Sequence, residues 1–305
     1  MKMLLHASAA ADGDIIKGLF SSVLLDALIE TVLIVPFILI AYLILEFIEH
    51  KASERTLSFL ERSGKAGPAV GGLLGAAPQC AFSAVAANLY TGRVISLGTL
   101  VAVFLSTSDE MLIIMISEGT SASAILLCLA YKLIVGIAVG FTVDLVYRLI
   151  HGKEHEHIHV EDMCEESGCH CERGIIRSAI HHTVTITLLI FTVTLAVGVA
   201  VYFIGEDRVG DMISSVPGIS HLVSAVIGLV PGCATSVALT SLYTDGIIPA
   251  GVMLSGLFSG AGVGMLVLLK VNKRWRENLI IMGTVTITGF VFGLIFDLCG
   301  LSTLI

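Results

Sequence analysis

The chain has 305 residues, 55% of them hydrophobic and 14% charged, with a mean hydropathy of +0.94. Soluble domains carry about 25% charge, so a soluble fold is excluded, and a net charge of −8 offers no basic surface for nucleic acid. Cys164, Cys169 and Cys171 crowd one His-rich loop, which points to metal rather than a secreted disulfide framework. The expected class is an all-α polytopic membrane protein embedded in lipid.

Residues 1–18 form an N-terminal segment that turns polar too soon for a signal peptide. Membrane repeat 1 follows over 19–150, with apolar segments at roughly 19–47, 68–91, 94–117 and 121–148. In the first segment, Asp26 and Glu30 lie one helical turn apart on one face. The run "TVLIVPFILIAYLIL" after Glu30 makes it an interior acid, whereas Asp26 is divided between a binding and an interfacial role. The second segment carries Pro78, Gln79 and Cys80, and proline there breaks the helix. The third holds "STSDE": Ser106, Thr107 and Ser108 supply hydroxyls and unwound backbone beside Asp109 and Glu110. A charge near the bilayer centre costs at least a few kcal/mol and usually marks a substrate or proton path. Lys132, in the fourth segment, is a candidate counter-ion. Cys128 and Cys299 read as packing residues.

The loop 151–176 contains His151, His155, His157, His159, Cys164, Cys169, His170 and Cys171. Such a cluster reads as a metal collector or sensor of soft-to-borderline preference. His155 to His159 also spell H-E-x-x-H, the zinc metalloprotease pattern. No apolar helix holds it in a membrane site, so its composition explains it better.

Membrane repeat 2, over 177–305, has apolar segments at 178–204, 217–244, 247–270 and 279–304. It copies the first. "GAAPQCAFSAVAANLYTGRVISLGTLVAVFLS" from Gly75 matches "GLVPGCATSVALTSLYTDGIIPAGVMLSGLFS" from Gly228 without a gap, 153 positions on. Pro78 pairs with Pro231, Cys80 with Cys233, Gly98 with Gly251 and Ser106 with Ser259. "SGAGVG" from Ser259 repeats the break of "STSDE" without its charge. Upstream, Glu30 aligns with His182, which His181 precedes.

Basic residues orient the chain. Lys51, Arg55, Arg62 and Lys65, then Arg148, Lys153, Arg173 and Arg177, then Lys270, Lys273, Arg274 and Arg276 mark three linkers as cytoplasmic. Three full crossings between the first two linkers would put them on opposite faces. One segment per half must therefore enter and leave by the same face, either the Pro-x-Cys segment or 94–117. Three crossings plus one hairpin is odd, so the repeats are expected to be inverted, the plan of secondary transporters.

The long motifs "GAAPQCAFSAVAANLYTGRVISLGTLVAVFLSTSDE", "CHCE", "HHT" and "GLVPGCATSVALTSLYTDG…SGAGVGMLVLLKVNK" resemble the ten-transmembrane heavy-metal exporter family, whose members are also labelled manganese transporters or arsenic efflux proteins. The likeness runs from Asp26 to Lys273 and implies an exporter of the prokaryotic cytoplasmic membrane. It carries the family elements onto Pro78–Cys80, Ser106–Glu110 and Pro231–Cys233. Gly232 stands where the family has asparagine.

Carboxylate, hydroxyl and carbonyl ligands favour hard divalent ions, manganese first; thiolate and imidazole draw toward zinc or cadmium. The expected activity is proton-exchanging export of a divalent metal by alternating access. Asp109, Glu110 and Glu30 are the charged ligands, His182 is ligand or proton carrier, and Cys80 and Cys233 mark the hairpin tips. The metal is cargo, and no prosthetic group is implied. No G-x-x-x-x-G-K-[ST] motif is present, so the chain is not expected to be an ATP-driven pump or another enzyme. Arsenical or other soft-metal efflux through Cys80 and Cys233 is the alternative. An intramembrane zinc protease or a metal sensor is more remote. The oligomeric state is open, a homodimer included.

Overall fold

A computed structural model describes residues 66–76, 80–151, 175–204, 219–231 and 233–304, with scattered helical positions between Leu24 and Leu43. Asp26, Glu30, Gln79 and the loop residues His155, His157, His159, Cys164, Cys169, His170 and Cys171 lie outside the described residues. Among the described residues there is no strand. That follows from an apolar solvent, in which a helix satisfies its own backbone groups.

Each long apolar segment of the repeated block is two short helices. In the first half these are α1 (Gly67–Gly75), α2 (Cys80–Thr91), α3 (Leu97–Ser106) and α4 (Asp109–Ser117), followed by α5 (Ala122–His151). The second half begins with α6 (Ile175–Ile204), which reaches back two residues into the span read as loop. It continues with α7 (Ser220–Gly228), α8 (Cys233–Thr244), α9 (Ala250–Ser259), α10 (Val263–Val271) and α11 (Trp275–Leu298). The lengths of α1 to α4 are 9, 12, 10 and 9 residues, and α7 to α10 repeat them in order. The duplication read from side chains is thus also a duplication of backbone breaks.

Packing repeats too. In the first half α3 packs on α1 and α5; in the second α9 packs on α7 and α11. The halves also exchange partners: α2 lies on α10, and α4 lies on α8. Helices α3 and α9 touch at the centre and are buried almost throughout. Helices α5 and α11 turn Leu126, Ile134, Leu145, Leu279, Ile287 and Leu298 outward, an apolar surface suited to lipid. Among the described residues, four spans are long and apolar enough to cross a membrane: 97–117, 122–150, 250–271 and 275–298.

Small residues make the close crossings. Gly136, Gly140 and Asp144 on α5 recur as Gly289, Gly293 and Asp297 on α11 at the same 153-residue shift. A Cβ on Gly140 would stand 2.6 Å from the Gly98 carbonyl oxygen, and one on Gly293 2.5 Å from that of Gly251. In lipid, packing of this kind replaces the hydrophobic drive between helices. Each aspartate then reaches the N-terminus of a broken helix. Asp144 Oδ1 accepts from the Gly98 amide at 2.8 Å, and Asp297 Oδ1 accepts from the Gly251 amide at 2.9 Å. An anion there meets amides that lack an intrahelical partner and the positive end of the helix dipole.

One turn separates the halves in chemistry. Helices α2 and α8 end in the same Schellman closure, with Arg93 N donating to Tyr90 O and Val94 N to Leu89 O, matched by Gly246 N to Tyr243 O and Ile247 N to Leu242 O. The left-handed position is filled by Gly246 (φ 74) in one and by Arg93 (φ 56) in the other. A side chain there costs roughly 1–2 kcal/mol. The arginine is held because its Nη2 bonds Glu277 Oε1 at 3.1 Å and Oε2 at 3.3 Å, at the start of α11. Tyr90 Oη and Arg274 Nη1 also bond Glu277, at 3.2 Å each. Replacing Arg93 by Gly should relax the turn by about 1 kcal/mol while cutting this tie between the halves. The expected result is little change in thermal stability but freer labelling of a cysteine probe at position 272, and a large loss of stability would contradict it.

Candidate ion-binding site

Both broken spans interrupt the helix near their middle. Thr107 (φ −56, ψ 125) and Ser108 (φ −121, ψ 26) separate α3 from α4, and Gly260 to Gly262 separate α9 from α10. Gly262 has φ 52, a left-handed geometry that suits glycine. Ten residues of α3 at about 1.5 Å each place the first break about 15 Å along the span, half of a hydrocarbon core of about 30 Å.

Asp109 and Glu110 are the first two residues of α4. The dipole and free amides of a helix N-terminus favour ionised carboxylates, while the facing end of α3 presents carbonyls that a continuous helix would have bonded to the next turn. Thr107 Oγ1 donates to Val103 O at 2.7 Å, and Ser108 Oγ donates to Ser106 O at 3.1 Å. Ser106 Oγ is buried and bonds nothing. It is turned toward α5, where a Cβ on Gly136 would run into it, and a Cβ on Gly72 of α1 would lie 3.4 Å away.

The second break shows what a carbonyl end of this kind accepts. In a continuous helix the Ala261 amide would take Leu257 O, but that amide bonds Ser259 O instead. The carbonyl of Leu257 takes Lys132 Nζ at 2.9 Å, a fully buried ammonium whose charge also lies 5.6 Å from the centre of the Phe258 ring. Lys132 belongs to α5, so a first-half cation closes a second-half helix end. Beside it Tyr131 Oη donates to Phe292 O at 2.7 Å. Replacing Lys132 by Met should cost about 2–3 kcal/mol, the worth of a charged hydrogen bond with its acceptor left buried. A denaturant titration of the membrane-embedded protein reads it, and an unchanged midpoint would remove Lys132 from the frame.

Around the same break a narrow crevice, with room for little more than one water molecule, is lined by Gly228, Thr235, Ser236, Gly256, Gly260 and Gly262, among others. In the first half the residues equivalent to Thr235, Gly256 and Gly262 are Phe82, Val103 and Asp109. The first copy of the break therefore carries an acid where the second carries glycine.

Helix packing decides which predicted residues share a neighbourhood. Cys233 opens α8, which packs on α4 and on α6, the helix that carries His181 and His182. Cys80 opens α2, whose partner is α10, a helix without an acidic residue. That contact is close, since a Cβ on Gly264 would lie 2.6 Å from Ser83 Cβ. The acidic helix and the histidine helix thus meet on the Pro-x-Cys helix of the second half, whereas Cys80 begins the other pairing. The sequence reading missed Asp144, Asp297 and His221. The recurrence of Gly-x-x-x-Gly-x-x-x-Asp was the available signal for the two aspartates.

A family model described as "Putative, 10TM heavy-metal exporter" matches residues 16–203, more than half of the chain. The chain belongs to this family. The match spans the first half, the central loop and α6, and so includes both the Pro78–Cys80 element and the acidic break. No curated protein and no solved structure matches the chain. The family is one of heavy-metal exporters, so the coarse reading is a multi-pass membrane transporter with a metal ion as cargo.

Proposed function

We propose that this exporter moves a divalent cation, manganese first, out of the cytoplasm of a prokaryotic cell in exchange for protons. The observation that carries the reading is the placement of Asp109 and Glu110 at a mid-span helix break whose helix lies on α8 of the other half. Broken helices at a repeat interface are where secondary transporters bind their ions. Glu30, His182, Cys233 and the hydroxyls of Ser106, Thr107 and Ser108 complete the proposed ligand set, and Asp26, His181, Gln79 and Cys80 are its secondary candidates. Carboxylates and imidazole that shed protons on binding metal provide the exchange.

The Arg93–Glu277 bond supports an inverted arrangement with 68–91 as the hairpin. It ties the turn after α2 to the turn before α11. Were 94–117 the hairpin, those turns would fall on opposite membrane faces, too far apart for a 3.1 Å bond. With 68–91 as hairpin both turns are cytoplasmic, and the spans 97–117 and 250–271 cross in opposite directions.

A metal-tolerance panel in a sensitised cell tests the function. Wild type should protect against a divalent ion, and Cys80→Ser should retain most of that protection. Protection against arsenicals alone, lost in Cys80→Ser, would transfer the case to soft-metal efflux. Deletion of 151–173 should weaken apparent affinity severalfold and leave maximal flux in place, as expected of a collecting or sensing loop. Complete loss of flux would mean that the loop holds the transport site.

A further inference from the structure

The two aspartates that hold the broken helices differ in their second partner. Asp144 Oδ2 accepts from Ser96 Oγ at 2.7 Å, and the same hydroxyl accepts from the Thr99 amide at 3.1 Å. That corner contains one carboxylate and groups that do not titrate. In the second half, proline stands at the serine position (Pro249), and histidine stands where the first half has Pro68. His221 Nε2 lies 3.0 Å from Asp297 Oδ2, while Oδ1 of the same carboxylate takes the Gly251 amide.

His221 is also incompletely partnered. Its side chain is only 9% exposed, and Nδ1 is buried with no hydrogen-bond partner. A neutral imidazole donates one hydrogen bond and keeps one vacant acceptor nitrogen, which is a place for a proton. Proton uptake turns the His221–Asp297 contact into an ion pair with a charge-assisted hydrogen bond, the stronger kind. Histidine is the side chain whose ordinary range makes such a change near neutral pH.

The neighbouring elements supply little competition. Among the described residues, α9 carries no titratable group and α7 carries only His221. On α11 the nearest is Cys299, just past its end; Glu277 and Arg276 are at the far end of the same helix. Helix α8 brings Tyr243 and, in its closing turn, Asp245.

We propose that His221 and Asp297 form a proton-binding site that the first half lacks, and that its loading tightens the corner where α7, α9 and α11 meet. The consequence lies at the N-terminus of α9. With His221 protonated, α7 is clamped to the carboxylate that caps α9; with it neutral, the clamp loosens and α7 is freer to move against the broken helix. In the inverted arrangement proposed above this corner faces the outside, the side from which an exchanging proton arrives. That placement rests on the proposed topology, whereas proton binding itself does not.

The test uses full-length protein in lipid nanodiscs with isotope-labelled histidine. The resonance absent in His221→Gln identifies His221, and its chemical shift is followed as the pH is varied. Intrinsic-rate-corrected hydrogen exchange at Gly251 should slow at least threefold as pH falls through that titration, while exchange at Gly98, held by Asp144, stays flat. Both responses should disappear in His221→Gln, where the amide keeps a neutral bond to Asp297. Asp297→Asn serves if that variant misfolds, and there the His221 midpoint should move. A His221 resonance that does not titrate between pH 5 and 9, or equal behaviour of Gly251 and Gly98, would overturn the proposal. Metal flux into proteoliposomes is measured separately on wild type. Its absence defeats the exporter reading and leaves the titration result standing, so the two failures are distinguishable.

Discussion

Replacing Asp109 by Asn is expected to abolish protection against the exported divalent ion while leaving the protein folded and inserted. Asparagine keeps the shape and one oxygen of the side chain, so the start of α4 tolerates it as an N-terminal helical residue. What it removes is the charge. A divalent ion taken from water into a low-dielectric site needs compensating charge, and loss of one such partner typically costs about 2–5 kcal/mol, roughly 30-fold or more in affinity. Titration calorimetry with manganese on purified protein would read the affinity, and growth of a metal-sensitised cell would read the flux. Glu110→Gln should behave similarly if both carboxylates hold the ion. A fully active Asp109→Asn protein would sink the acidic-site model, because α10, the equivalent helix, has no charge at its start to substitute for it.

The second large effect is structural. Replacing Gly98 or Gly251 by Leu should destroy the packed core. A Cβ on Gly98 would stand 2.6 Å from Asp144 Oδ1, and one on Gly251 would stand 2.5 Å from Asp297 Oδ1. In each case the backbone of the facing helix is as close, and backbone cannot rotate away. The substitution therefore separates the helices, breaks the carboxylate cap and strands a buried aspartate. Together these cost about 4 kcal/mol or more, at the exceptional end for single changes. Gly283 on α11 provides the contrast: nothing lies within 4 Å of a Cβ there. Gly283→Leu should be neutral or gain about 0.5–1 kcal/mol from helix propensity. Yield of monodisperse protein and unfolding midpoint in detergent separate these outcomes. Equal midpoints for Gly98→Leu and Gly283→Leu would mean that the close crossings do not carry the fold.

Much of the architecture is legible without coordinates because its signals are local. Proline and glycine interrupt helices wherever the chain goes, so the pairs Pro78/Pro231 and "STSDE"/"SGAGVG" located the breaks, and the ungapped repeat showed that they belong to a duplicated block. Apolar length and charge content identify the membrane as solvent for similar reasons, residue by residue. The same signals mark a carboxylate pair as costly and therefore purposeful.

Other features are relations between distant residues, and no local pattern specifies them. That α2 lies on α10 and α4 on α8 is an exchange between halves. It separates the helices of Cys80 and Cys233, which the repeat alone presents as a symmetric pair. Lys132 read as a counter-ion for the acids; its ammonium also reaches the Leu257 carbonyl of the other half, an acceptor exposed only because α9 is broken. Arg93 occupies a left-handed position and reaches Glu277, 184 residues away, a contact that no local pattern announces. Sequence by itself determined the solvent, the duplication and the places where helices stop, since these follow from backbone chemistry at each residue. Tertiary structure alone decided what each broken end faces, because a free carbonyl or amide takes whichever partner packing brings within about 3 Å.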